Sequence, residues 1–249
     1  TYPSKRRASP SSNQMKNQYR FWFAITLVWV ISTFLDRLWW NLFEGIPSWD
    51  QADYLNSALD HAKALGFLPL GEWKGWNSLL DLSPKIPPLA SIVNGSVLAI
   101  AGDSPRQAAW SLSIWNGLLI FSIAHWGKQL HGERLALIAV FFVSLAPALI
   151  ELRSDYVLEM PLSASISLAL WLLGRWWDPK EGGKWSQALW AALACCISIL
   201  IKQSSLLILI PALSWASYSA FRRNAKRKLQ LLTGFILILA GIYPWLSHN

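Results

Sequence analysis

Two carboxylates, Asp50 and Glu159, and two lysines, Lys85 and Lys202, stand beside apolar runs in a 249-residue chain where charge is scarce. A carboxylate can deprotonate an acceptor hydroxyl, and a lysine ammonium is a compact point charge for a phosphate. Together these residue types suit transfer chemistry on a lipid-borne phosphate, with the carboxylate as base and the cations stabilising the departing phosphate. Asp53, Tyr54, Arg153 and Asp155 lie close to them in sequence and add polar groups. Plainer roles are open as well. Asp50 falls in the first turn of a predicted helix, where an acid faces the helix dipole, and Lys85 and Lys202 can snorkel to headgroups. Glu159 stands among apolar residues at the mouth of a predicted span, where an ionisable group is a functional hypothesis by default.

The elements that must position these residues are membrane helices. Hydrophobic residues make up 53% of the chain and charged ones 14%, and several apolar runs approach the roughly 20 residues that a bilayer core requires. The alternating pattern of a barrel is absent, so the expected fold is all-α, a polytopic transmembrane bundle. Seven spans are predicted, at about 21–40, 107–126, 134–150, 158–177, 185–201, 203–220 and 229–247. The net charge of +8 sits beside these runs instead of forming a stripe with stacking aromatics, which excludes a nucleic-acid footprint. The pairs Trp39-Trp40 and Trp176-Trp177 end apolar runs and read as an aromatic belt, and Cys195 and Cys196 read as small packing residues.

The segment 1–20 is expected to be a disordered cytoplasmic tail, and its bases, like those of "RRNAKRK", should lie inside. An even number of spans must then separate the two, which the six clear runs between them satisfy only if residues 87–102 do not cross. Those residues would rise only about 24 Å in a helix, short of a ~30 Å core. The outer loop 41–105 therefore holds two helices. One, at 87–102, does not span. The other, at 49–65, is amphipathic, with Ala52, Leu55, Leu59, Ala62 and Leu65 on one face, and begins at Ser48 and Gln51, which have capping-box spacing. This topology puts Asp50, Lys85, Glu159 and Lys202 on one face of the membrane.

The pieces "WDQADY", "KIPPL", "LEMPL" and "KQSS", with "LHGERLALIAVFFVSLAP" between the second and third and "YPWL" after the last, resemble in order and type the glycosyltransferases of the C-type fold. The closest likeness is to the protein O-mannosyltransferase and lipid A aminoarabinose transferase group (glycosyltransferase family 39-like), over about residues 21–249. The resemblance implies a sugar donor on a polyprenyl phosphate, in a bacterial inner membrane, and transfer on the periplasmic face, with inversion, to a lipid, glycan or protein acceptor. Asp50 would be the base, Lys85 and Lys202 would hold the donor phosphate, and Glu159 would complete the polar site or help hold a divalent metal, with Asp53, Tyr54, Arg153 and Asp155 in support. No acid or histidine cluster reads as a metal site. Gln51, Ile86, Glu159 and Gln203 depart from the family's pattern, consistent with a divergent subfamily, altered donor preference or lost activity. Family members continue beyond the seventh span, so the chain is expected to be an N-terminal portion that does not turn over by itself. A transporter or flippase, or a non-catalytic membrane scaffold, are the alternatives.

Overall fold

A computed structural model of the chain describes residues 12–42, 48–68, 71–83, 85–178, 182–223 and 225–249. It is helical, with no strand among the described residues. The helices are α1 (Ser12–Leu42), α2 (Trp49–Ala64), α3 (Trp76–Asp81), α4 (Leu89–Ala101), α5 (Pro105–His131), α6 (Glu133–Leu145), α7 (Pro147–Ser154), α8 (Glu159–Trp177), α9 (Trp185–Ile201), α10 (Leu206–Phe221) and α11 (Ala225–His248). Helix α5 is central, with 67% of its apolar window buried, and packs against α1, α4, α6 and α8. Helices α1, α10 and α11 are peripheral and turn large apolar side chains such as Phe34, Leu207, Trp215 and Tyr243 outward, as lipid-facing helices do.

The start of α1 differs from expectation. Helix begins at Ser12, inside the segment read as a disordered tail, and residues 1–11 lie outside the described residues. Once a long apolar helix exists, adding a turn of good formers such as Gln14, Met15 and Lys16 requires only propagation, without the cost of a new nucleus.

The crossings also differ. Four helices are long and apolar enough to cross a membrane, Lys16–Leu42, Arg106–His131, Gln203–Phe221 and Ala225–His248, and a fifth is added if the bent pair α6 and α7 counts as one. The predicted straight span at 134–150 is broken by 57° between Leu145 and Pro147. Proline disfavours helical geometry at the residue before it, and Ala146 is accordingly extended, with φ −62° and ψ 122°. Helices α8 and α9 occupy the predicted ranges 158–177 and 185–201 without joining the four. Helix α9 has 17 residues, about 26 Å, and α8 carries Glu159 and Arg175 at its two ends. Both are packed inside the bundle, α8 against α5 and α9, and α9 against α8 and α11.

The indole pairs are divided in role. Trp39 is exposed, but Trp40 is buried and donates to the Arg153 carbonyl at 3.3 Å. Trp176 is likewise buried and donates to Gln230 Oε1 at 2.9 Å, while Trp177 lies under Arg223 at 4.1 Å. Burying an indole requires a partner for its N–H, and the bundle supplies one in each case. Cys195 and Cys196 are free and buried in the core between α8, α9 and α11.

The segment before α5 positions the site. Ser48 is the extended N-cap of α2, but its side chain makes no capping bond, so the expected capping box with Gln51 does not form. The buried face of α2 is Leu55, Ala58, His61 and Ala62, a face turned from the predicted stripe to meet α4. Helix α4 follows Pro88 and ends at Gly102, a length of 13 residues or about 20 Å, too short to cross a ~30 Å core. Its contact with α2 is close. At Gly95 a Cβ would run into the Ala58 carbonyl oxygen, so only glycine allows the two backbones this approach.

Candidate functional site

Four short segments converge at one end of the bundle: the first turns of α2, the chain before α4, the start of α8 and the end of α9. Asp50 is exposed in the first turn of α2, and Asp53 and Tyr54 follow one turn later. Lys85 lies in the bend before Pro87, and its backbone carbonyl accepts a hydrogen bond from Gln203 Nε2 at 3.0 Å. Glu159 opens α8, and its carboxylate accepts a charge-assisted hydrogen bond from Lys202 Nζ. Lys202 ends α9 in extended geometry, φ −159° and ψ 126°, before the single turn Gln203–Ser205. That break in the helix carries the ammonium across to Glu159.

Tyr54 reports how these charges are gathered. Burial pushes its phenol above the ordinary tyrosine range, the positive charge of Lys202 opposes this, and the negative charges of Glu159, Asp50 and Asp53 add to it. The phenol thus stays protonated and is a hydrogen-bond donor at neutral pH. Asp53, Tyr54 and Lys85 line a cavity of about 240 Å³ together with Ser57, Ser83, Ser91 and Leu158, the residue before Glu159. Lys85, Asp53 and the neutral phenol line the cavity, while the charges of Lys202, Glu159 and Asp50 act on that phenol, and such a set of groups can hold a phosphate, orient a hydroxyl and take its proton.

Arg153 is engaged elsewhere. Its Nε donates to Asp36 Oδ2 at 2.9 Å and its Nη1 to the Ser144 carbonyl at 3.2 Å, with both members of the ion pair nearly buried. The guanidinium ties α7 to α1 and α6. Asp155 is half-buried in the turn between α7 and α8, where its carbonyl accepts from Val157 N at 2.9 Å. Among the described residues no three His, Cys, Asp or Glu side chains are placed to hold a metal ion, and Glu159 is engaged by Lys202.

His61 and Gln203 were not legible as site residues. His61 is fully buried in α2, with Nδ1 2.7 Å from the Ser57 carbonyl and Nε2 3.1 Å from Ser83 Oγ. A carbonyl only accepts, so Nδ1 carries the proton and Nε2 accepts from the Ser83 hydroxyl. Burial lowers the pKa of this histidine, against the opposing pull of the Ser57 and Leu79 backbone and of Asp60, which keeps it neutral. The Ser83 carbonyl in turn accepts from Trp245 Nε1 of α11 at 2.9 Å. A lone histidine on a helix face gives no sequence signal of this, because its partner lies 22 positions away in a bend. Gln203 was visible only as a departure from the family's glycine.

The comparisons with known proteins agree on the fold. Crystal structures of ArnT from Cupriavidus metallidurans are similar to the chain in the apo state and bound to undecaprenyl phosphate, with TM-scores of 0.65 and 0.64 and 20% identity in each case. The likeness covers 95% and 92% of this chain but only 42% and 40% of those proteins, so the chain spans less than half their length. No curated protein matches it. The family model for dolichyl-phosphate-mannose-protein mannosyltransferase matches residues 85–248, from the site lysine before α4 to the end of α11, and the chain belongs to that family.

Proposed function

We propose that the chain forms the donor-handling part of a membrane glycosyltransferase, which moves a sugar from a polyprenyl-phosphate donor to an acceptor on the outer face of the membrane, with inversion. The observation that carries this reading is the convergence of Lys202, Glu159, Asp50 and Asp53 on Tyr54, beside a cavity that Lys85 also lines. The family and the neighbour bound to undecaprenyl phosphate support a lipid-linked donor. Asp50 takes the acceptor proton as the acceptor oxygen or nitrogen attacks the anomeric carbon, on the side opposite the departing phosphate. Lys85 and Lys202 stabilise the charge that grows on that phosphate. Glu159 holds Lys202 in place until the donor arrives, so that phosphate replaces a carboxylate as its partner, and the Tyr54 phenol donates to an oxygen of the donor. Asp53 and Asp155 complete the polar rim. The basic tail and "RRNAKRK" support a cytoplasmic N-terminus and a site on the periplasmic side.

The test is sugar transfer from radiolabelled polyprenyl-phosphate donors by membranes carrying the full-length protein, compared with Asp50→Asn. Asp50 is exposed, so the variant should fold as the wild type does. Transfer should fall by about 10²-fold or more. Unchanged transfer would remove Asp50 as the base, and no transfer from any donor would favour a transporter or a scaffold.

A further inference from the structure

One motif has no part in the proposed chemistry. The "YPWL" stretch lies near the end of α11, a helix that is mostly exposed, yet its tryptophan reaches the segment that carries Lys85. Trp245 Nε1 donates to the backbone carbonyl of Ser83 at 2.9 Å, across 162 positions of sequence. A second tie follows at the end of the helix, where His248 Nε2 lies 2.7 Å from Asp81 Oδ1 of α3.

Ser83 is buried, and three elements share its polar groups. Its N–H donates to the Leu80 carbonyl in α3 at 3.0 Å, its hydroxyl donates to His61 Nε2 in α2 at 3.1 Å, and its carbonyl accepts from Trp245 in α11. His61 is fixed in turn by its own bond to the Ser57 carbonyl. Two residues on, the Lys85 carbonyl accepts from Gln203. Lys85 itself is exposed and lines the cavity together with Asp53 and Tyr54. A lysine ammonium rides on a flexible four-carbon stem, so the fold aims it by fixing the backbone from which it springs. Bonds from α2, α3 and α11 hold that backbone at Ser83, and Gln203 holds it at Lys85.

We infer that Trp245 is a positioning residue for Lys85, acting through the Ser83 carbonyl. Its indole N–H, together with the bond between Ser83 and His61, sets where the Lys85 ammonium meets the donor phosphate. The inference rests on the reading of Lys85 as a phosphate-binding lysine. Trp245 does not line the cavity, so its effect on the donor is indirect. Misplacing a reacting group by about 1 Å can cost about 100-fold, and the loss of one tie while the others remain should cost less.

The experiment uses the full-length protein in mild detergent and Trp245→Phe, which keeps an aromatic ring and removes the N–H. Hydrogen exchange of the peptide containing Ser83 and Lys85, read by mass spectrometry, should quicken by about fivefold. Titration with polyprenyl phosphate should give a Kd raised by about fivefold. In a Lys85→Gln background the same substitution should change Kd by less than about twofold, because an effect carried by Lys85 vanishes with it. Trp215→Phe, on the exposed side of α10, should leave both readouts unchanged. Unchanged exchange in Trp245→Phe overturns the tie. An unchanged Kd, or an equal rise in both backgrounds, overturns the positioning role and leaves Trp245 a structural one. Neither readout requires turnover, so a protein that shows both expected changes but transfers no sugar supports the positioning role and counts against the proposed function alone.

Discussion

Gln203 Nε2 donates to the backbone carbonyl of Lys85 at 3.0 Å, linking the bend before α4 to the turn after α9. Each of the two lysines proposed to hold the donor phosphate is thereby one residue or less from the same hydrogen bond. A residue that reads in the sequence as a departure from the family's pattern turns out to hold the two cationic segments in register.

Replacing Gln203 with glycine should loosen that register without removing either charge. The bond is exposed, so its net worth is about 1 kcal/mol or less. Steady-state transfer assays should show KM for the polyprenyl donor raised up to about fivefold, with kcat little changed. A large fall in kcat at constant KM would give Gln203 a part in the chemical step.

Arg153 is predicted to matter for stability. Removing one member of a buried ion pair leaves the other charge without its partner, at a cost of about 3–5 kcal/mol. Arg153→Met should therefore melt well below the wild type in detergent, and Asp36→Asn combined with Arg153→Met should recover most of the loss, because the stranded carboxylate is gone. Transfer per folded molecule should match the wild type in the double variant. Loss of transfer at restored stability would return Arg153 to the site.

His61 predicts a pH effect of definite sign. Its folded-state pKa is depressed, chiefly by burial, and the unfolded chain has the ordinary value of about 6.5. Above that pH both states are neutral and the full stability is present. As the pH falls below about 6.5, the unfolded chain takes a proton that the folded chain refuses, and stability is lost until the folded value is passed. Thermal midpoints measured from pH 7.5 to 5 should therefore fall more steeply for the wild type than for His61→Gln. Parallel curves would show that another group titrates.

Much of this was legible in the sequence, for identifiable reasons. The all-α membrane bundle follows from apolar runs whose length is set by the bilayer, and the short helix after "KIPPL" follows from the same length argument, since Leu89–Ala101 is shorter still than the predicted range. The family was legible because its motifs are local and ordered along the chain. What could not be read were relationships across the bundle. Arg153 meets an acid 117 positions away, and Trp40 and Trp176 face inward because distant backbone and Gln230 offer acceptors. The break before Pro147 was available in "SLAPAL" as a proline following a non-helical position, but hydropathy alone reads through it. Helices α8 and α9 occupy predicted spans yet fall short of the length and apolarity of α1 or α11, for a related reason. Interior helices are shielded by their neighbours and need neither the length nor the uniform apolarity that lipid demands of α1 or α11.

Gly95 has a mechanical consequence. It lies six residues from Leu89 along α4, about 9 Å from the end that receives the Lys85 bend, and its backbone rests directly on that of Ala58 in the helix that carries Asp50 and Tyr54. Helix α4 is thus a stiff arm bearing on a single fulcrum. Bulk added at the fulcrum swings the arm, and the displacement appears as a wider gap between Lys85 on the arm and the carboxylates on its support. The spacing between Lys85 and the carboxylates of α2 is set by a side chain that the sequence leaves out.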